Sequence, residues 1–115
     1  MTNPTIWHNP RCSKSRQTLT LIQEQGFEPI VVDYISNAPT KEDIVNALGM
    51  LGITANDLIR SGDARFKEAG LSKTDDAEKL IDAMVAQPIL IERPVVLHNG
   101  KAALGRPPES VLDIL

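Results

Sequence analysis

Strand, helix and strand signals follow one another without a break in the first 34 residues, and that order constrains the fold more than any other feature of the chain. Thr5–His8 is a short run of β-branched and aromatic residues, the pattern of a strand. Asn9-Pro10 interrupts it. A helix is expected from Cys12 or Ser13, carrying Leu19 and Ile22 on one face and ending before Gly26, a residue suited to the position just past a helix. Glu28–Tyr34 then brings Ile30, Val31 and Val32 together as a second strand. Two strands joined by a helix-length crossover pack most simply as a right-handed parallel βαβ unit.

The middle of the chain reads as helical. Thr40 with Asp43 forms a capping pair ahead of Ile44, Val45, Leu48 and Leu51. Thr54 with Asp57 resembles a second, opening a short helix toward Arg60. Over Asp75–Gln87, the residues Ala77, Leu80, Ile81, Met84 and Val85 recur at helical spacing, the stripe of a core-facing helix. The end is a hairpin: Val95–His98 and Lys101–Leu104 flank Asn99-Gly100, a type I′ turn signal. Pro107 or Pro108 is placed to open a last helix through Leu115.

The order is therefore β-α-β, a helical insert over about residues 40–87, then β-β-α. It predicts an α/β chain of thioredoxin-like fold: a small mixed four-stranded sheet with helices on both faces. At 115 residues one domain is expected, spanning 1–115. A hydrophobic fraction of 42% and a charged fraction of 23% suit a soluble globular chain. No apolar run approaches the roughly 18 residues of a membrane-spanning helix. The N-terminus carries neither the basic nor the apolar region of a secretory signal, so a cytoplasmic location is expected.

The chain has one cysteine, which excludes an internal disulfide. Its net charge of −3 is not that of a nucleic-acid binder. Yet no acidic residue precedes Glu24, while Arg11, Lys14 and Arg16 crowd around Cys12. At a helix N-terminus the first amides lack intrahelical partners and the dipole favours an anion. A cysteine there, beside cations, is expected to have a lowered pKa and an available thiolate. The competing expectation is a buried structural thiol, common for free cysteines.

Cys12-Ser13-Lys14-Ser15 carries Ser where a C-x-x-C redox site carries its second cysteine. If Cys12 works through a disulfide, the second thiol must come from outside, and glutathione or a small thiol protein is the obvious supply. A cysteine phosphatase would have five residues between Cys and Arg; Thr18 stands at that place and Arg16 falls short of it. With only His8, Cys12 and His98 as soft or imidazole candidates, no metal site is expected. His8, across the turn, and Arg16, one helical turn on, are candidates to stabilise the thiolate. Each reads equally well as a surface side chain at the end of its element.

The segment His8-Asn9-Pro10-Arg11-Cys12-Ser13-Lys14-Ser15-Arg16 resembles the active-site signature of the glutaredoxin-coupled, ArsC-like arsenate reductase family. Similar stretches follow in order: Pro39-Thr40, Leu58-Ile59-Arg60, Leu80-Ile81-Asp82 with Met84, Pro88 through Pro94, Gly105 through Glu109, and Val111 through Leu115. The resemblance implies that Cys12 is the nucleophile toward arsenate and that Arg60, Arg93 and Arg106 bind the oxyanion. It implies that His8 and Ser15 help hold the thiolate, and that Pro94 is the cis-proline beside the active site, bringing Arg93 near Cys12. It further implies glutathione as co-substrate, glutaredoxin as the reducing partner, and no bound cofactor, nucleic acid or membrane. Two alternatives share the fold. One is an RNA-polymerase-binding redox regulator, which typically uses the C-x-x-C switch that Ser15 removes. The other is a glutathione-dependent thiol reductase that ignores arsenate.

Overall fold

The computed structural model describes residues 3–115. The strands are β1 (Thr5–His8), β2 (Ile30–Asp33), β3 (Val95–His98) and β4 (Lys101–Leu104). The α-helices are α1 (Ser13–Glu24), α2 (Lys41–Leu51), α3 (Ala55–Leu58), α4 (Ala64–Glu68) and α5 (Ala77–Ala86). Two 3-10 segments, Pro88–Leu90 and Pro108–Ile114, complete the elements. The chain divides into two compact units: one runs to Asn37 and resumes from Arg93 to Leu115, and the other is Ala38–Glu92.

The first unit holds a four-stranded sheet in the order β2-β1-β3-β4. β1 runs parallel to β2, and the other neighbours are antiparallel. This is the mixed sheet that the element order predicts. α1 is the crossover between β1 and β2, and it packs against the terminal 3-10 helix. Ile6, Ile22, Val96 and Val111 are fully buried, with Leu19, Phe27, Ala103 and Ile114 packed on them. Each buried aliphatic side chain of this kind contributes roughly 1.5–3 kcal/mol. The hairpin turn has φ of 53° at Asn99 and 75° at Gly100, the double positive pair of a type I′ turn, which glycine and asparagine tolerate best. β2 lies at the sheet edge, where Ile30 and Val31 stay exposed.

In the second unit, α2 begins with a reciprocal capping box: Asp43 N–H donates to Thr40 Oγ1 at 3.1 Å, and Thr40 N–H donates to Asp43 Oδ2 at 3.0 Å. α5 packs on α2 and α3, and Ile44, Leu58, Leu80, Ile81 and Met84 are buried. The second expected cap differs. Thr54 caps no backbone amide of α3; its hydroxyl donates to the Asp57 carboxylate at 3.3 Å instead. α4 and the Pro88–Leu90 turn were not predicted from the sequence. α4 buries only Phe66 and is too short to carry a periodic stripe, though Asp63 caps it by accepting from Arg65 N–H at 2.9 Å. The last helix starts at Pro108, as its prolines suggest, but winds as a 3-10 helix. Among the described residues, no helix is long and apolar enough to cross a membrane.

Candidate active site at the start of the first helix

Cys12 is the N-cap of α1, in extended conformation with φ −96° and ψ 123°. The turn that delivers it is closed by Cys12 N–H donating to Asn9 O at 3.0 Å. Asn9 Oδ1 accepts from Arg11 N–H at 3.0 Å and locks the same turn. No acidic residue occupies the first turn of α1, so nothing there opposes an anion at the N-terminus.

The thiol is half-buried. Burial pushes its pKa up, but the Ser15 N–H, the hydrogen bond and charge of Arg93, and the Lys14 N–H pull it down, and the balance lies below the ordinary cysteine value. The sulfur makes no close cap hydrogen bond, so the amides act chiefly as N–H dipoles aimed at its charge. Arg93 is thus brought to Cys12 from the far end of the chain. Its Nε and Nη1 are buried and have no hydrogen-bond partner among the described residues. Buried donors without partners are unfavourable, and here Nε and Nη1 leave three N–H bonds of the guanidinium uncommitted.

Arg93 is held by two linked proline turns. The Arg93–Pro94 and Arg106–Pro107 peptides are both cis, so Pro94 has the isomer that the family resemblance implies. Arg106 Nε donates to Arg93 O at 2.8 Å, and Gly105 N–H donates to Pro94 O at 2.9 Å. Arg106 therefore buttresses the backbone that carries Arg93 while its own side chain stays exposed.

Ser15, on the first turn of α1, is fully buried. Its Oγ accepts from Asn9 N–H at 3.0 Å and lies 2.6 Å from His8 Nδ1. His8 thus sits beside Ser15. Burial chiefly lowers the His8 pKa, Asp33 raises it, and Arg16 lowers it again. Arg16 is exposed, and its Nη1 donates to Pro10 O at 2.8 Å, which ties the helix to the turn before Cys12. Neither His8 nor Arg16 is among the largest influences on the thiol. Arg60 belongs to the second unit. It pairs there with Asp63 at 3.5 Å and Glu92 at 3.9 Å, and its N–H donates to Leu90 O at 2.7 Å.

Two participants were not foreseen from the sequence. Asp33 lies opposite His8 in the parallel register. Gly105 is in close contact with Thr18 and Pro94. The only local signal for the first was a charged residue ending an apolar strand. The second gave none.

A groove of about 460 Å³ runs along α1 from Ser13 to Glu24 against the start of the terminal 3-10 helix; neither Cys12 nor Arg93 lines it. The site as a whole offers a half-buried thiol of lowered pKa, flanked by fixed N–H donors and by one guanidinium with unpartnered nitrogens. Such an arrangement suits nucleophilic attack by sulfur on a small oxyanion.

Comparison with known proteins gives a consistent picture. The profile of the ArsC family matches residues 7–114. The chain is 49% identical over 114 residues to the uncharacterized protein YfgD of Escherichia coli (strain K12), covering 96% of this chain and 94% of that protein. It is 43% identical over 118 residues to an arsenate reductase of Acidiphilium multivorum, covering all of this chain and 82% of that enzyme. Among solved structures, an arsenate reductase from Vibrio cholerae superposes with a TM-score of 0.94 at 41% identity, covering 98% of each chain. A profile match over nearly the full length, with relatives above 40% identity, makes the kinship plain: the chain belongs to the ArsC family.

Proposed function

We propose that this chain reduces arsenate to arsenite through a covalent adduct on Cys12, with glutathione and glutaredoxin supplying the electrons. The observation that carries this reading is the Cys12–Arg93 pair: a thiol of lowered pKa beside a guanidinium with two buried, unpartnered nitrogens. Arsenate is a tetrahedral oxyanion, and a guanidinium binds two of its oxygens in one plane. The same cation offsets the repulsion between thiolate and anion. Arsenate reductases among the relatives support the substrate. Arg60 and Arg106 are assigned to the oxyanion with Arg93, and His8, Ser15 and Arg16 to the upkeep of the thiolate.

The chemistry has three steps. Cys12 Sγ displaces one oxygen of arsenate, which leaves as water after protonation, and an S–As bond forms with arsenic still at +5. The thiolate of glutathione attacks Cys12 Sγ; the S–As bond breaks and its electron pair stays on arsenic, which departs as arsenite at +3. A glutaredoxin thiolate then takes the glutathione from Cys12 and restores the thiol. The absence of a second cysteine supports an external thiol. A glutathione-rich reducing compartment, the cytoplasm, is the setting this chemistry needs.

The test is arsenate-dependent NADPH oxidation in the presence of glutathione, glutathione reductase and glutaredoxin. Wild type is expected to turn over, and Cys12→Ser to be inactive with an unchanged far-UV circular dichroism spectrum. Turnover by the serine variant would end the covalent scheme. No turnover by wild type with its thiol shown to be free would favour a thiol reductase that ignores arsenate.

A further inference from the structure

We propose that Arg11 and Lys14 select the thiol that attacks Cys12: their charges favour an anionic thiol, one that carries carboxylate as well as sulfur, over a neutral or cationic one. The proposal rests on the reading of Cys12 as a nucleophile served by an external thiol. Its test omits arsenate, so its failure is distinct from failure of the arsenate reading.

The net charge of −3 is unevenly divided along the chain. Residues 38–92 hold six Lys and Arg against ten Asp and Glu, whereas the unit that carries Cys12 holds six against five. Three of those six cations, Arg11, Lys14 and Arg16, lie within four residues of Cys12, and all three are exposed. Helix α1 has no acidic residue in its first turn and no basic residue in its last, the reverse of what the helix dipole favours. Lys14 thus stands at the end of the helix where a cation is unfavourable. Helix stability does not account for it; attraction of an anion does.

The three cations differ in what surrounds them. Arg16 Nη1 donates to Pro10 O, and Arg16 lines its groove together with Glu24 and Glu109. Arg11 and Lys14 line no part of that groove. Among the described residues neither forms an ion pair, whereas Lys41, Arg60, Arg65 and Lys79 of the other unit each do. Their backbones are fixed beside Cys12: Arg11 N–H donates to Asn9 Oδ1, the Lys14 N–H acts on the sulfur, and Lys14 O accepts from Thr18 Oγ1. Neighbouring Cα atoms are about 3.8 Å apart, so both residues begin within one Debye length of Cys12, about 8 Å at physiological salt. Two exposed, unneutralised charges at that range raise the local concentration of anions. Glutathione, with two carboxylates against one ammonium, belongs to the class of thiol they favour.

The step to measure is attack on Cys12 Sγ. Cys12 is first converted to a mixed disulfide with dithiodipyridine. An added thiolate then attacks Cys12 Sγ, a new S–S bond forms, the old one breaks, and its electron pair leaves on thiopyridone, whose absorbance gives the rate. Cys12 is no free thiol in this step, so its own acidity does not enter. As thiolates, mercaptopropionate carries two negative charges, mercaptoethanol one, and cysteamine a net charge of zero; each rate is divided by the fraction of thiolate present. In the Arg11→Gln/Lys14→Gln double variant at low salt, the mercaptopropionate rate is expected to fall between about three- and thirtyfold, the mercaptoethanol rate by less, and the cysteamine rate to hold within about twofold. Raising salt from about 0.02 M to about 0.5 M should slow mercaptopropionate on wild type, and slow it less on the double variant. Arg11→Lys/Lys14→Arg keeps both charges and should keep the wild-type ratios. Equal slowing of all three thiols would mark a structural effect and overturn the proposal. An unchanged ratio of the mercaptopropionate to the cysteamine rate, or a wild-type rate indifferent to salt, would overturn it as well.

Discussion

Replacing Gly105 by alanine crowds the point where the turn before Pro107 passes close to Thr18 of α1 and to Pro94. A Cβ placed on Gly105 would lie 2.6 Å from Pro94 Cγ and 3.0 Å from Thr18 Cγ2, and it would run into Thr18 Oγ1. None of these atoms moves freely. Thr18 Oγ1 donates to Lys14 O at 2.8 Å, and Pro94 is tied to Gly105 itself through the 2.9 Å backbone bond. Overpacking of this kind costs about 1–3 kcal/mol, and at roughly 4 °C per kcal/mol for a chain of this size Tm should fall by about 4–12 °C. Thermal unfolding followed by circular dichroism measures it. The same substitution presses on Pro94 and so on the backbone of Arg93, and arsenate turnover should drop in the folded protein below Tm. Thr18→Ala in the same chain removes two of the three clashing atoms, and the double variant should regain part of the lost Tm. A Tm within 1 °C of wild type for Gly105→Ala, or no recovery with Thr18→Ala, would refute the packing argument.

Other outcomes follow from the same geometry. Arg93→Ala removes the cation and hydrogen-bond donor at Cys12, so the thiol pKa should rise, alkylation near neutral pH should slow, and the KM for arsenate should increase; Lys14→Ala, which leaves the Lys14 N–H in place, should do each of these less. Equal effects of the two would argue against Arg93 as the main partner of thiolate and oxyanion. Acid should weaken the protein in part through Asp63. Its carboxyl is held below the usual range chiefly by the Arg65 N–H, with the Arg65 and Arg60 charges acting against burial. A carboxyl whose folded pKa is lowered contributes stability above its unfolded pKa of about 3.9 and loses it as pH falls through the folded value. Melting curves at pH 6 and pH 3 should therefore differ less in Asp63→Asn than in wild type, and an equal difference would remove Asp63 from the acid response.

Much of this protein was legible in the sequence because it is local. β1, α1 and the β3–β4 hairpin follow from apolar spacing and from Asn9-Pro10 and Asn99-Gly100, features that act within a few residues. The Thr40–Asp43 cap was legible for the same reason. The β-α-β and β-β-α order then leaves few ways to assemble four short strands, and the mixed sheet followed. The position of the lone thiol before α1 was also readable, since a helix N-terminus is defined by sequence-local backbone.

What the sequence by itself determined was this frame and the place of Cys12 within it. The family resemblance implies Arg93 near Cys12 and the helix start supplies the Ser15 and Lys14 amides, but only the tertiary structure brings the remote groups together. Arg93 reaches Cys12 across 81 positions of chain, Asp33 meets His8 only through the parallel register, and Gly105 meets Thr18 only where the last turn packs on α1. The difference is physical. Helix caps and turns are set by interactions between residues close in the chain, whereas charge on a buried group depends on distance and burial, which exist only once remote segments are packed together.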